Sequence, residues 1–322
     1  MQIIKPPRLE AGAAIGLVSL ASPISHQDKK EQYHRGCEYL SAKGFALIEG
    51  LHVHQANGYL AGDDDQRAAD FNDMVANKQS QALFNTRGGY GCVRLLDKID
   101  YDLLAKHPKI ILGYSDICVL QLAIYQKIGL VTFSGPMVAA DMGRAMPPLT
   151  ERSLWNQLMS TQPEPMVSSQ TGYSPWTLHG GQADGILFPV CLSVLCSIIG
   201  TRFLPDMEGA ILILEDIGEP LYKIDRYLAQ LLHAGILDKI NGLVLGQFSS
   251  YESDSSENDA SAQLLKVYEK YITSLNKPIL ANFAYGHVDI RFTLPVGLPV
   301  HLDADRATFT FDEAGVKDDL IV

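Results

Sequence analysis

The chain has 322 residues, 47% of them hydrophobic and 20% charged, which is enough apolar material for one large core or two medium ones. Its formal net charge of −11 offers no basic field to a nucleic-acid backbone. No apolar run approaches the roughly 20 residues that cross a bilayer, and the opening segment lacks the apolar core of a signal peptide, so a cytoplasmic protein with neither nucleic acid nor membrane as partner is expected.

In chain order, Ala14 to Leu20 reads as a buried strand. His26 to Ala42 has the apolar spacing of a helix, and Phe45 to Ile48 is a short strand. Asp63 to Val75 is a helix opened by acidic residues, which suits the positive end of its dipole. Ala82 to Phe84 is a strand that runs into Thr86-Arg-Gly-Gly-Tyr-Gly91, followed by a short helix from Val93 to Leu96. Lys109 to Leu112 is a strand and Asp116 to Lys127 a helix. This alternation predicts a parallel sheet with helices on both faces.

From about Met142 to Gly181 prolines cluster and periodicity fades, with one helix at Glu151 to Met159; the stretch 146–182 reads as a linker. The domains expected are therefore 1–145 and 183–322. In the second, Leu192 to Ile199 reads as a helix and Ala210 to Leu214 as a strong strand. Tyr222 to Ala234 is an amphipathic helix ended by Gly235, and Leu243 to Leu245 is a strand. Ser249 to Ala262, rich in Ser, Asp and Glu, reads as a mobile loop, and Val296 to His301 and Ala307 to Phe311 as closing strands. The fold class expected is α/β: a flavodoxin-like or amidotransferase-like parallel-sheet domain followed by a mixed α+β domain.

Four groups of residues carry chemistry. Gly113-Tyr-Ser-Asp116 lies between a strand and a helix, where a sharp turn holds a hydroxyl exposed at the sheet edge and aims the next amide, that of Asp116, at a developing oxyanion. A Ser-Asp pair that merely caps the helix is the plain alternative. Arg87-Gly-Gly-Tyr-Gly91 is a turn whose Gly88 or Gly89 N–H is a second candidate oxyanion donor, with Arg87 available to a carboxylate. Neither GxxxxGK[ST] nor GxGxxG is present, which argues against a nucleotide loop. Glu215, Asp216 and Glu219 follow a strand, where each is placed either to orient an imidazole or to begin the next helix. His287 follows a glycine in a predicted loop, while His52 and His54 lack partner ligands at metal spacing. Cys118, one helical turn past Ser115, is the rival nucleophile. It and Cys37, Cys92, Cys191 and Cys196 form no CxxC pair and mostly sit among apolar neighbours, as free thiols in a reducing compartment do.

Together these segments resemble the L,D-carboxypeptidase family, the muramoyltetrapeptide carboxypeptidases. The resemblance runs through Ser19-Leu-Ala-Ser-Pro23, Arg87 to Gly91 with Arg94-Leu-Leu and Ile99-Asp100, Gly113 to Asp116, and Thr132 to Pro136. It continues through Ile199-Gly-Thr201, Leu214 to Ile217, Asp225-Arg226, Gly235-Ile-Leu237, Gly286-His287 and Leu294 to Gly297. It implies Ser115 as nucleophile, His287 as base and Glu215, rather than Asp216 or Glu219, as the third member. It implies an oxyanion hole from the Asp116 amide and the glycine turn, a site between two domains, and no metal or cofactor. The reaction implied is release of terminal D-alanine from a murein tetrapeptide, free or as UDP-MurNAc-tetrapeptide. One departure is Pro189-Val-Cys191, where many relatives carry a Gly-Gly segment. Three rivals stand beside this reading: a related peptidase that cleaves a peptide-nucleotide antibiotic, a non-catalytic two-domain peptide- or sugar-binding protein, and a cysteine amidotransferase-like enzyme. Oligomeric state stays open, a homodimer included.

Overall fold

A computed structural model describes residues 2–167, 171–249, 257–272 and 275–318. In chain order the first half runs β1 (Ala14–Val18), α1 (Gln27–Ala42), β2 (Ala46–Glu49), α2 (Asp64–Ala76), β3 (Ser80–Asn85) and a 3-10 turn at Cys92–Leu95. It continues with α3 (Tyr101–Lys106), β4 (Ile110–Leu112), α4 (Ile117–Ile128), β5 (Thr132–Ser134), a π-type turn at Val138–Met142 and α5 (Pro148–Met159). The second half runs β6 (Met166–Val167), β7 (Trp176–His179), β8 (Gln182–Cys191), α6 (Leu192–Cys196), β9 (Ala210–Ile217), α7 (Leu221–His233) and α8 (Ile236–Lys239). It ends with β10 (Gly242–Ser249), α9 (Glu257–Ile272), β11 (Ile279–Ala281), β12 (Leu294–Val296), β13 (Pro299–Asp303) and β14 (Thr308–Thr310).

Two sheets result. The first has the order β12-β5-β4-β3-β1-β2, parallel from β1 to β5 with β12 added antiparallel to β5. Its parallel part is the flavodoxin-type order 2-1-3-4-5, in which the crevice at the carboxyl ends of β1 and β3 is the natural place for a ligand. The second sheet has the order β6-β14-β13-β8-β9-β10-β11-β7, parallel across β8 to β11 and antiparallel at both flanks. The fold is mixed α/β in two layers of this kind, as the alternation of elements predicts.

Local chemistry explains the elements that frame the site. Asp63 caps α2 by accepting the Gln66 N–H, and Gln66 returns the bond to the Asp63 N–H. α4 is buried from Ile117 to Ile124, as a helix apolar on all sides must be. α7 is amphipathic and buries Ile224, Leu228 and Leu231 at spacings of four and three residues, each side chain contributing about 1.5–3 kcal/mol. The halves share one apolar interior: Phe188 of β8 meets Tyr125 of α4 edge-on at 5.1 Å between ring centres. Ser134 Oγ at the end of β5 is 2.6 Å from the Tyr285 hydroxyl.

Several stretches differ from the sequence reading. The segment 146–182 contains the expected helix, as α5, and beyond it the sheet-edge strands β6 and β7, which the sequence reading lacks. Val296 to His301 is not one strand: Gly297 adopts φ +88° and turns the chain, so that Leu294–Val296 joins the first sheet and Pro299–Asp303 the second. Of the expected loop from Ser249 to Ala262, residues 250–256 lie outside the described residues, and 257 onward is α9. Apolar residues further along α9, including Tyr268, Tyr271 and Ile272, are buried and anchor that helix. β8 carries no strand signal in the sequence, because its first half is polar and Pro189 lies inside it. The proline is accommodated because Leu187 N–H, two residues earlier on the same side, bonds to Leu298 O, and pairing with β13 ends at Ile186. Among the described residues no helix is long and apolar enough to cross a membrane.

Candidate active site

β4 delivers the chain into Gly113-Tyr114-Ser115-Asp116, and α4 begins at Ile117. Ser115 adopts φ +62°, a left-handed conformation costing about 1–3 kcal/mol for a residue with a side chain. The turn is held from beneath. Gln121 Nε2 donates to Gly113 O at 3.0 Å and to Phe133 O at 2.7 Å, and Asn85 Nδ2 donates to Leu112 O at 2.8 Å. The strain thus projects the Ser115 hydroxyl at the carboxyl edge of the first sheet, as a nucleophile elbow does.

Opposite it stands His287, brought by the loop after β11. His287 Nε2 lies 3.0 Å from Ser115 Oγ, and His287 Nδ1 lies 2.7 Å from Glu215 Oε2. Glu215 is the sixth residue of β9 and its side chain is 1% exposed; that of His287 is 13% exposed. A buried carboxylate on Nδ1 requires the proton there, which leaves Nε2 as an acceptor for the serine hydroxyl. Three groups distant in sequence therefore form one hydrogen-bonded line, the arrangement that raises the nucleophilicity of a hydroxyl.

The glycine turn flanks the same hydroxyl. A Cβ at Gly88 would lie 2.8 Å from Ser115 Cβ and 3.0 Å from its Oγ, so only glycine lets this backbone approach. Gly89 has φ +129°, and a Cβ there would collide with Ser22. Among the described residues, the N–H groups of Gly88, Gly89 and Asp116 have no hydrogen-bond acceptor. The Asp116 carboxylate does not cap α4. It accepts the Cys92 N–H at 2.8 Å and so ties the end of the glycine turn to the serine turn. Asp116 is 4% exposed, and burial raises its carboxyl above the ordinary aspartate range, with the bond from Cys92 opposing.

A cleft of about 330 Å³ opens on the imidazole and is lined by Arg87, Tyr114, Asp141, Arg144, Ile217, His287, Asp289 and Arg291 among others. Arg87 donates to Pro23 O at 3.1 Å, and half-burial lowers its pKa from the usual guanidinium value. Arg144 is exposed. Arg291 is 3% exposed and pairs with Asp141 at 2.6 Å. Asp141 and Arg291 carry no local sequence signal, since their association spans about half the chain; Tyr114 lies in the serine motif, but its ring's contact with Arg291 does not show there.

The remaining candidates lie elsewhere. Asp216 turns away from His287 and accepts the Ser193 N–H at 2.8 Å and its own neighbour's N–H, that of Ile217, at 2.9 Å. Glu219 pairs with Lys223 at 3.2 Å. Cys118 is 1% exposed, and burial pushes its thiol well above the ordinary value. All five cysteines are free, four of them buried. His52 pairs with Asp70 at 2.7 Å and His54 with Glu49 at 3.0 Å, so each is bonded to its own carboxylate. Arg94 pairs with Asp64, and Arg226 stacks on Tyr222. Among the described residues no cluster of metal-ligating side chains forms.

Comparison with known proteins follows the two halves. Residues 15–135 match the LD-carboxypeptidase N-terminal domain and residues 184–302 the LD-carboxypeptidase C-terminal domain. The chain is 36% identical over 316 residues to a probable murein peptide carboxypeptidase of Bacillus subtilis, covering 98% of this chain and 96% of that one. Among solved structures, the microcin C7 self immunity protein MccF in complex with aspartyl sulfamoyl adenosine superposes with a TM-score of 0.85 at 27% identity, covering 98% of this chain and 100% of that one. The muramoyltetrapeptide carboxypeptidase of Oxalobacter formigenes superposes with a TM-score of 0.80 at 27% identity, covering 93% and 99%. Both domain models match in order and together span most of the chain: the protein belongs to the LD-carboxypeptidase family.

Proposed function

We propose that the protein is a serine carboxypeptidase that releases terminal D-alanine from the L,D bond of murein tetrapeptides, a reaction of peptidoglycan recycling. The observation that carries this reading is the line Ser115–His287–Glu215 with distances of 3.0 and 2.7 Å. Ser115 Oγ attacks the carbonyl carbon of the L-centre while His287 Nε2 takes the hydroxyl proton, and Glu215 stabilises the imidazolium. The N–H groups of Asp116 and of Gly88 or Gly89 receive the oxyanion, each donor lowering the barrier by about 3–4 kcal/mol. The carbon–nitrogen bond then breaks, His287 returns the proton to the departing D-alanine amine, and water, deprotonated by the same imidazole, clears the acyl group from Ser115. Arg87, half-buried in the cleft wall, takes the terminal carboxylate in a two-point contact. None of these steps calls for a metal or cofactor. The B. subtilis and O. formigenes relatives support the substrate, and five unpaired thiols fit a reducing cytoplasm.

The likeness to MccF supports a second reading, in which the same line of groups cleaves an acidic aminoacyl nucleotide. One assay separates them. Purified protein and Ser115→Ala are each incubated with murein tetrapeptide, UDP-MurNAc-tetrapeptide and an aspartyl sulfamoyl nucleotide, and products are read by mass spectrometry. Loss of one alanine from the tetrapeptides by wild type alone supports the proposal. Turnover of the nucleotide only supports the second reading, and turnover of neither removes both.

A further inference from the structure

Arg291 occupies an unusual position for a cation. It is 3% exposed, yet it meets both partners of the central hydrogen bond through their chain neighbours. Its guanidinium carbon lies 4.2 Å from the centre of the Tyr114 ring, the residue before Ser115. Its Nη1 donates to Val288 O at 2.6 Å, the residue after His287. The Tyr114 ring in turn lies 5.0 Å from the His287 ring at an interplanar angle of 56°. Asp141, from the π-type turn of the first half, holds the guanidinium at 2.6 Å and also accepts the Met137 N–H at 2.8 Å.

We propose that Arg291, anchored by Asp141, is a positioning brace that sets the Ser115–His287 distance by clamping Tyr114 on one side and Val288 on the other. The inference rests on the reading of Ser115 as nucleophile. The physical need is plain. Ser115 comes from the first sheet and His287 from a loop after β11, so their 3.0 Å contact crosses between the halves and no single element fixes it. A planar cation answers the need because one face stacks on an aromatic ring while one edge donates to a carbonyl and another forms an ion pair with a carboxylate. A misplacement of about 1 Å between reacting groups costs on the order of 10²-fold in rate. Neutralising Asp141 is a rival role for Arg291, because a buried ion left without its partner is destabilising on its own account.

The test uses a fluorophosphonate probe, from whose phosphorus an activated serine oxygen displaces fluoride, so that reactivity is read without the peptide substrate. Labelling rate and thermal midpoint are measured for wild type, Ser115→Ala, Arg291→Met, Arg291→Met/Asp141→Asn and Tyr114→Leu. The brace predicts labelling slowed about 10²-fold in Arg291→Met. It predicts that the double variant regains its thermal midpoint without regaining its labelling rate, and that Tyr114→Leu, which keeps the ion pair and loses only the 3.4 Å hydrogen bond from the Tyr114 hydroxyl to Asp141, is also slowed. Labelling that recovers with the midpoint in the double variant, or that is unchanged in Tyr114→Leu, overturns the brace. If wild type is not labelled, or Ser115→Ala is labelled equally, the nucleophile reading fails and the brace with it. Wild type labelled at Ser115 with all brace variants equally fast sinks the brace alone.

Discussion

Gly286 lies against the carboxylate of Glu215 so closely that a Cβ at position 286 would stand 2.9 Å from Oε2 and 3.0 Å from Gln247 O. Its φ of +126° is also a conformation that side chains rarely adopt. The glycine therefore does two things at once: it turns the backbone that presents His287, and it leaves room for the 2.7 Å bond to Nδ1. Gly286→Ala is expected to lower kcat/KM about 10²-fold, from a displacement of order 1 Å, with a thermal midpoint lowered by only a few degrees. A variant at wild-type kcat/KM would show that the imidazole does not depend on this approach.

The adjacent carboxylates of β9 separate chemistry from structure. Glu215→Gln keeps the size of the side chain but allows the wrong imidazole tautomer, and kcat should fall by about 10⁴-fold with little change in stability. Asp216→Ala removes the acceptor of the Ser193 and Ile217 N–H groups. Each buried donor left unpaired costs about 1–3 kcal/mol, so the loss there is in urea midpoint, with kcat of the folded fraction within severalfold of wild type. Reversal of these two outcomes would move the third member from Glu215 to Asp216.

Asp116 gives a pH signature. Its folded pKa is raised by burial above the ordinary value of about 3.9. Between those two values the folded protein holds a proton that the unfolded chain has released, so the contribution of Asp116 is most favourable in acid. It declines as pH rises through the window and is flat above the folded pKa. Asn at 116 keeps an acceptor for the Cys92 N–H and does not titrate. The stability of Asp116→Asn relative to wild type, from urea unfolding at a series of pH values, is expected to increase across this window and then level off. A difference that is constant with pH contradicts the assignment.

The thiols should be silent. Cys92, Cys118, Cys191 and Cys196 are buried, and burial raises each thiol above its ordinary pKa, which suppresses the thiolate that alkylating agents attack. Half-exposed Cys37 is also raised, to about 11, and lies on α1. Iodoacetamide at neutral pH should leave turnover intact. Inactivation that tracks modification of Cys118 would favour the cysteine mechanism.

Much of this architecture was legible in the residues. The alternation through Leu112 and α4 announces a parallel sheet because each element carries its own periodicity. The motif around Ser115 announces a strand-to-helix turn, although spacing alone did not choose Glu215 over Asp216 and Glu219. The family resemblance names Glu215; in the fold Glu215 is the one of the three bonded to His287, while Asp216 accepts the Ser193 and Ile217 N–H groups and Glu219, beyond β9, pairs with Lys223. Arg291 and Asp141 were invisible because an ion pair between residues 150 positions apart leaves no local pattern. The strand at Val296 to His301 misled for a related reason: Gly297 divides an apolar run between two sheets, and the run itself does not record the division.

The most direct measurement is peptide mapping of the fluorophosphonate adduct on the intact protein. A single modified residue at Ser115, with D-alanine release abolished in proportion to modification, is the expected result. An adduct at another residue, or full hydrolysis by protein whose Ser115 is stoichiometrically modified, would contradict the account.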